Sequence, residues 1–225
     1  NPKEDALKVV QIASDTHIYM NGDFIYTGSD ETEEKRFETL LKEAAELGFK
    51  VDTYLNAGDL SETSSTDAQR NAFEFYRTHL VLENTLVVQA MGNHDEDYGN
   101  GGDVSGTYNK EGFIDRLQEY GLVDKTLTYN QSLFDEEDNL TTAYYYATDG
   151  AIHYVVLATS LGVMGDDELA WLQGVMGEIS KDGKPIFIVD HYTPSYHDYN
   201  DYATRTKEVV AAIDYPQVYY FCGHA

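Results

Sequence analysis

One cysteine, Cys222, stands alone in 225 residues. It excludes an internal disulfide framework and any thiolate-rich metal site. Positive charge is scarce as well: 15 Lys and Arg face 40 Asp and Glu, a formal net charge of −25. Binding to a phosphate backbone depends on Lys and Arg displacing counterions. Nucleic acid and anionic membranes are therefore poor partners. No apolar run approaches the roughly 18 residues of a membrane span, and no signal-peptide pattern opens the chain. The first residues, Asn1-Pro2-Lys3, lack an initiating Met and read as a processed or trimmed product. Nineteen tyrosines against few lysines lean towards an exported protein.

What is present suits an ordinary folded domain. The hydrophobic fraction is 42%, and a chain of this length can bury a sizeable core. No internal repeat and no linker interrupts it, so residues 1–225 read as one domain. Short apolar runs at 9–13, 51–57, 86–90, 185–189 and 218–221 predict strands, the fourth apolar enough to be buried on both faces. Helical periodicity predicts helices over 31–47, 66–82, 112–120, 166–180 and 204–213. Segments 126–133, 142–148 and 151–158 read as further strands, with Asp149-Gly150 a hairpin signal. The polar stretch from Asp95 to Lys110 and the tyrosine-rich stretch after His191 read as loops.

Chemistry collects where the strands end. The first leads into Ser14-Asp15-Thr16-His17, the second into Gly58-Asp59, the third into Met91-Gly92-Asn93-His94-Asp95. The strand over 185–189 leads into Asp190-His191, and the last into Cys222-Gly223-His224. Sites in open α/β sheets form outside the carboxyl ends of strands. His79 and His153 read as ordinary partly buried histidines, whereas His197 either lines the site or is simply solvated. Collected at one edge, these groups offer carboxylates, an amide oxygen and imidazoles without thiolate. That set suits Mn, Fe, Zn or similar divalent ions rather than Ca or Mg alone. There are enough donors for two ions, with Asp59 the plausible bridge. A pair about 3.5–4 Å apart clamps the attacking and leaving oxygens of an in-line phosphoryl displacement.

The ordered set D-x-H, G-D, G-N-H-D, a lone His and G-H, running from residue 15 to residue 224, resembles the calcineurin-like metallophosphoesterase superfamily. The resemblance implies an α/β fold of four layers, two mixed sheets packed together with helices outside. It implies that Asp15, His17 and Asp59 hold a first metal, and that Asp59, Asn93, His191 and His224 hold a second. His94 would serve as acid or hydrogen-bond donor at the leaving oxygen, oriented by an acid matching Asp95. The implied activity is hydrolysis of a phosphomonoester or phosphodiester, with a small anionic phosphate ester as substrate. A non-catalytic metal-containing binding protein and a nuclease of the same superfamily are the alternatives. The His94/Asp95 pair argues against the first and the charge against the second. In purple acid phosphatases a tyrosine ligand stands three residues after the motif aspartate. Glu62 stands there in this chain, which sets it apart from that branch. The final G-H-x-H motif is cut at Ala225, so its last histidine and the strands that follow are missing. The resemblance thus implies a domain truncated at its C-terminus, with the first metal held less firmly than the second.

Overall fold

The computed structural model describes residues 8–18, 51–62, 64–80, 85–96, 110–158, 164–193, 207–211 and 215–224, with residues 35, 39, 42, 43, 46 and 205. Among the described residues, seven strands form two sheets. β1 (Val10–Ala13), β2 (Thr53–Asn56) and β3 (Leu86–Gln89) pair in parallel in the order β1-β2-β3. β4 (Tyr145–Thr148), β5 (His153–Val156), β6 (Ile186–Val189) and β7 (Val218–Phe221) follow in sequence order across the second sheet. Only the β4–β5 pair is antiparallel. The second sheet is therefore mixed, as expected, whereas the described strands of the first are all parallel. The helices are α1 (Thr66–Leu80), the single turn α2 (Asn93–Glu96), α3 (Lys110–Glu119) and α4 (Asp166–Ile179). All six described residues outside the continuous stretches, 35, 39, 42, 43, 46 and 205, are helical, as are 207–211. The rest of the helix expected over 31–47 lies outside the described residues. So do 97–109 and 194–204 in the two expected loops, together with His197.

Alternation along the strands assigns side chains to two cores, because successive residues point to opposite faces. Tyr145, Ala147, Tyr154, Val156 and Val189 join Leu55 and Val88 of the first sheet in one cluster. Tyr146, Val155, Ile186 and Ile188 pack on the other face against Leu172, Val175, Met176 and Ile179 of α4. Ala72 and Phe73 of α1 and Phe113 and Leu117 of α3 belong to the first cluster. The result is two sheets flanked by helices, the layered α/β architecture that the motif order implies.

Two side chains close sheet edges that would otherwise expose backbone groups. At the free edge of β3, the Gln89 amide donates to Tyr145 Oη at 2.8 Å, and that hydroxyl donates to the Gln89 carbonyl at 3.0 Å. At the free edge of β4, Asn130 Oδ1 accepts from the Tyr146 amide at 2.9 Å and its Nδ2 donates to the Tyr146 carbonyl at 2.8 Å. This second contact explains one correction. The strand expected over 126–133 is a 3₁₀ helix, Thr128–Leu133. A buried carboxamide meets the edge of β4 in place of a strand backbone, and this could not be read from apolar spacing. The hairpin at Asp149-Gly150 is present, with Thr148 opposite His153 and Gly150 at φ 83°.

Glu168, in the first turn of α4, is buried and accepts from the Ala158 amide at 2.8 Å. Burial, together with the charge of Asp190, pushes its carboxyl up to about 8 despite that hydrogen bond. The ordinary value is 4.5, so between those values the folded protein holds a proton that the unfolded chain releases. Stability contributed by the neutral form is complete at low pH and is lost as pH rises from 4.5 towards 8, by about 1.4 kcal/mol per pH unit. Glu168→Gln, which stays neutral, is expected to match wild type near pH 4 and to melt at higher temperature than wild type at pH 8. Thermal unfolding at the two pH values checks this, and equal melting temperatures at pH 8 would contradict it.

Candidate metal centre

Parallel pairing carries the tips of β1, β2, β3, β6 and β7 to a common edge. The chain then turns sharply to aim its donors. Asp15, His17, Asp59 and His224 have φ of 54°, 46°, 51° and 56°. Only one other non-glycine residue among those described, Asp138, has a positive φ. A left-handed backbone costs an L-residue about 1–2 kcal/mol, so strain is concentrated on four of the residues singled out as donors. Backbone bonds between the tips hold the turns: the Asp15 amide donates to Gly58 O and the His17 amide to Asp59 O, each at 3.0 Å.

Two donor sets share Asp59. The first is Asp15, His17 and Asp59, with one ligand atom from each lying within 4.8 Å of the others. The second brings together Asp59, Asn93, His191 and His224. Asn93 Oδ1 lies 3.0 Å from His191 Nε2 and 2.9 Å from His224 Nδ1. His191 Nε2 lies 3.1 Å from His224 Nδ1 and 3.2 Å from Asp59 Oδ2. The same Oδ2 is 3.8 Å from His17 Nε2. His191 Nδ1 donates to Ala57 O at 3.0 Å, which turns the lone pair of the neutral ring inwards. Lone pairs so close repel unless positive charge sits among them. Ligand bonds of about 2.0–2.1 Å, as to Zn, place neighbouring donors about 3 Å apart, which is the spacing found. The residues present fit a divalent ion.

Proton equilibria carry the same signature. Burial opposes a charge on His191, but the hydrogen bond and charge of Asp59 outweigh it and push the ring up to about 9. Burial and the neighbouring His191 push His224 down. Burial also opposes ionisation of Asp59, yet His191 and the His94 amide hold its carboxyl below the ordinary value. The cluster favours one positive charge at its middle.

His94 is not part of either set. Its Nδ1 donates to the carbonyl oxygen of Glu62 at 2.8 Å, its amide donates to Asp59 Oδ1 at 2.9 Å, and its ring stands edge-on to His17 with centroids 4.5 Å apart. Asp95 does not orient this ring, contrary to the expectation. It is fully buried and accepts from the amides of Leu60, Ser61 and Gly92 at 3.2, 2.9 and 2.9 Å and from Ser61 Oγ at 2.8 Å. Burial and the charge of Asp59 push its carboxyl up to about 6. Its place in the site is that of a staple tying the loop after β2 to the loop after β3. His153, read as an ordinary histidine, lies buried away from the donor sets, bonded to Tyr146 Oη at 2.8 Å and Asp182 Oδ2 at 2.9 Å.

The family model for calcineurin-like phosphoesterases matches residues 8–225. The chain belongs to the calcineurin-like phosphoesterase family. Solved structures that share the fold include two phosphatases. One is a purple acid phosphatase from yellow lupin (Lupinus luteus) seeds, at TM-score 0.52 and 14% identity, covering 84% of this chain. The chain spans 31% of that protein's length. The other is a dimetal phosphatase from Danio rerio, at TM-score 0.62 and 12% identity, covering 98% of this chain and 82% of that one. No curated protein sequence matches. Membership of this phosphoesterase family, with the donor groups at its strand tips, supports a metal-dependent phosphoesterase. No helix among the described residues is long and apolar enough to cross a membrane.

Two residues beside these donor sets received no site role from the sequence. Ser14 Oγ lies 2.5 Å from Asp15 Oδ2, and Glu62 touches both His17 and His94. A hydroxyl before D-x-H and an acid three residues after Asp59 are the only sequence signals for them. Two motif glycines have a steric reason. A Cβ on Gly92 would overlap the side chain and amide of Asp59, and one on Gly223 would overlap Ser14 Oγ and crowd Asp15 Oδ2. Gly223→Ala is therefore expected to displace Asp15 and weaken metal binding by about 10–100-fold, the usual effect of disturbing groups that orient ligands. Isothermal titration with Mn²⁺ measures it, and unchanged affinity would show that the tip tolerates the methyl group.

Proposed function

We propose that the chain is a two-metal phosphoesterase acting on a small anionic phosphomonoester or phosphodiester. The observation that carries this reading is the position of Asp59 Oδ2, 3.2 Å from His191 Nε2 in one donor set and 3.8 Å from His17 Nε2 in the other. Asp15, His17 and Asp59 hold the first ion, and Asp59, Asn93, His191 and His224 the second. The mixed oxygen and nitrogen donors favour Mn, Fe or Zn. Bound divalent ions supply Lewis acidity there, offsetting phosphate charge and acidifying water.

The protein's own groups do the rest. Asp59, shared by both sets, fixes their separation. His94 has its Nδ1 proton committed to the Glu62 carbonyl, so Nε2 is the end that can pass a proton to a leaving oxygen. Asp95 keeps the loops carrying Asp59 and His94 in register. The net charge of −25 discourages polyanions such as nucleic acid, which favours a small substrate.

Hydrolysis of p-nitrophenyl phosphate or bis-p-nitrophenyl phosphate is expected to vanish on exhaustive chelation and to return with Mn²⁺, Fe²⁺ or Zn²⁺. Turnover that survives chelation would refute the metal mechanism. His94→Ala is expected to lower kcat by about 10²–10⁴, the range for a general acid, with metal content unchanged. Loss of metal from that variant, read by elemental analysis, would make His94 a ligand instead.

A further inference from the structure

Glu62 stands outside both donor sets yet touches the two imidazoles beside the first. Past the left-handed residues the tips of β1 and β2 resume pairing. The Ile18 amide donates to Leu60 O at 2.8 Å, the Glu62 amide donates to Ile18 O at 3.3 Å, and Ile18 bridges Ser61 in parallel. Ile18, Leu60 and Ser61 are fully buried or nearly so, and Asp95 grips the Leu60 and Ser61 amides. Glu62 is thus delivered from a rigid support. Its carbonyl takes the Nδ1 proton of His94. Its carboxylate Oε2 lies 3.0 Å from His17 Nδ1. That nitrogen is shut off from solvent and has no aligned hydrogen-bond partner, so the Glu62 carboxylate is the acceptor within reach. The opposite nitrogen of His17, Nε2, faces Asp59.

We propose that Glu62 is a positioning residue for both rings at the first metal position, holding each imidazole through Nδ1 and leaving each Nε2 free. The role rests on the two-metal reading. The carboxylate keeps His17 in the tautomer that ligates through Nε2, as carboxylates behind metal-bound histidines do. The Glu62 carbonyl likewise holds the His94 ring through its Nδ1 proton, without depending on the side chain, and leaves Nε2 for proton transfer rather than for metal. Because the rings meet edge to face, turning His17 would also move His94.

Calorimetric Mn²⁺ titration of wild type, Glu62→Ala and Glu62→Gln tests this. Wild type is expected to bind two ions. Glu62→Ala should weaken one of them by about 10–100-fold and leave the other unchanged, while Glu62→Gln, which keeps an acceptor oxygen, recovers most of the loss. In the Zn²⁺-loaded protein, long-range ¹H–¹⁵N spectra should show His17 protonated at Nδ1. Wild-type affinity at both sites in Glu62→Ala overturns the proposal. Equal weakening at both sites in both variants assigns Glu62 to the fold and also overturns it. A third wild-type ion that is lost in Glu62→Ala would make Glu62 a ligand, which again overturns it. A wild-type chain that binds no Mn²⁺ refutes the metal centre itself and with it this role.

Discussion

Asp59 has to remain ionised while almost wholly buried, and the architecture answers to that constraint. Removing a carboxylate from water costs several kcal/mol unless charge and hydrogen bonds compensate. The His94 amide and the His191 ring supply part of the compensation. Asp95, also buried, works against it by adding a second carboxylate to the same pair of loops, and its four donors keep that arrangement tolerable. The remaining demand for positive charge falls on the space between Asp59 and the histidines.

Meeting that demand requires donors from five strands at one place, which explains the strain and the crowding. A strand that ended in relaxed extended backbone would send Asp15, His17 or Asp59 along the sheet, whereas a left-handed residue turns the side chain towards its neighbours. The turns are tight enough that a Cβ at residue 92 would overlap Asp59, and one at residue 223 would overlap Ser14 Oγ and crowd Asp15. The rigid sheets behind the site sustain such turns. Their buried strands, and the Tyr145 and Asn130 contacts that seal the edges of β3 and β4, leave little freedom at the tips.

Much of this was legible beforehand. The runs 86–90, 185–189 and 218–221 became β3, β6 and β7 to within a residue, because a short apolar run bounded by polar turns has few other ways to be buried. The helix expected over 166–180 became α4, its buried apolar face carrying Leu172, Val175, Met176 and Ile179. Its Glu168 escaped notice, since periodicity assigns a charged first-turn residue to solvent. Segment 126–133 failed for a related reason: its β-branched and aromatic composition suits a strand, but one buried carboxamide, Asn130, took over the backbone contacts of the edge.

For the candidate site the division is equally physical. Residue type and position after a strand are local properties, so the sequence alone determined which donors stand at the strand tips and that they include oxygen and nitrogen but no thiolate. Orientation is not local. Which nitrogen of His191 faces inwards depends on Ala57, 134 residues away in the chain. That Asp95 staples two loops depends on amides at residues 60 and 61. That Glu62, conspicuous in the sequence only as the place where a tyrosine is missing, sits against His17 and His94 depends on Ile18. Hydrogen-bond geometry is satisfied between residues that the chain brings together only once folded, and only the tertiary structure could decide it.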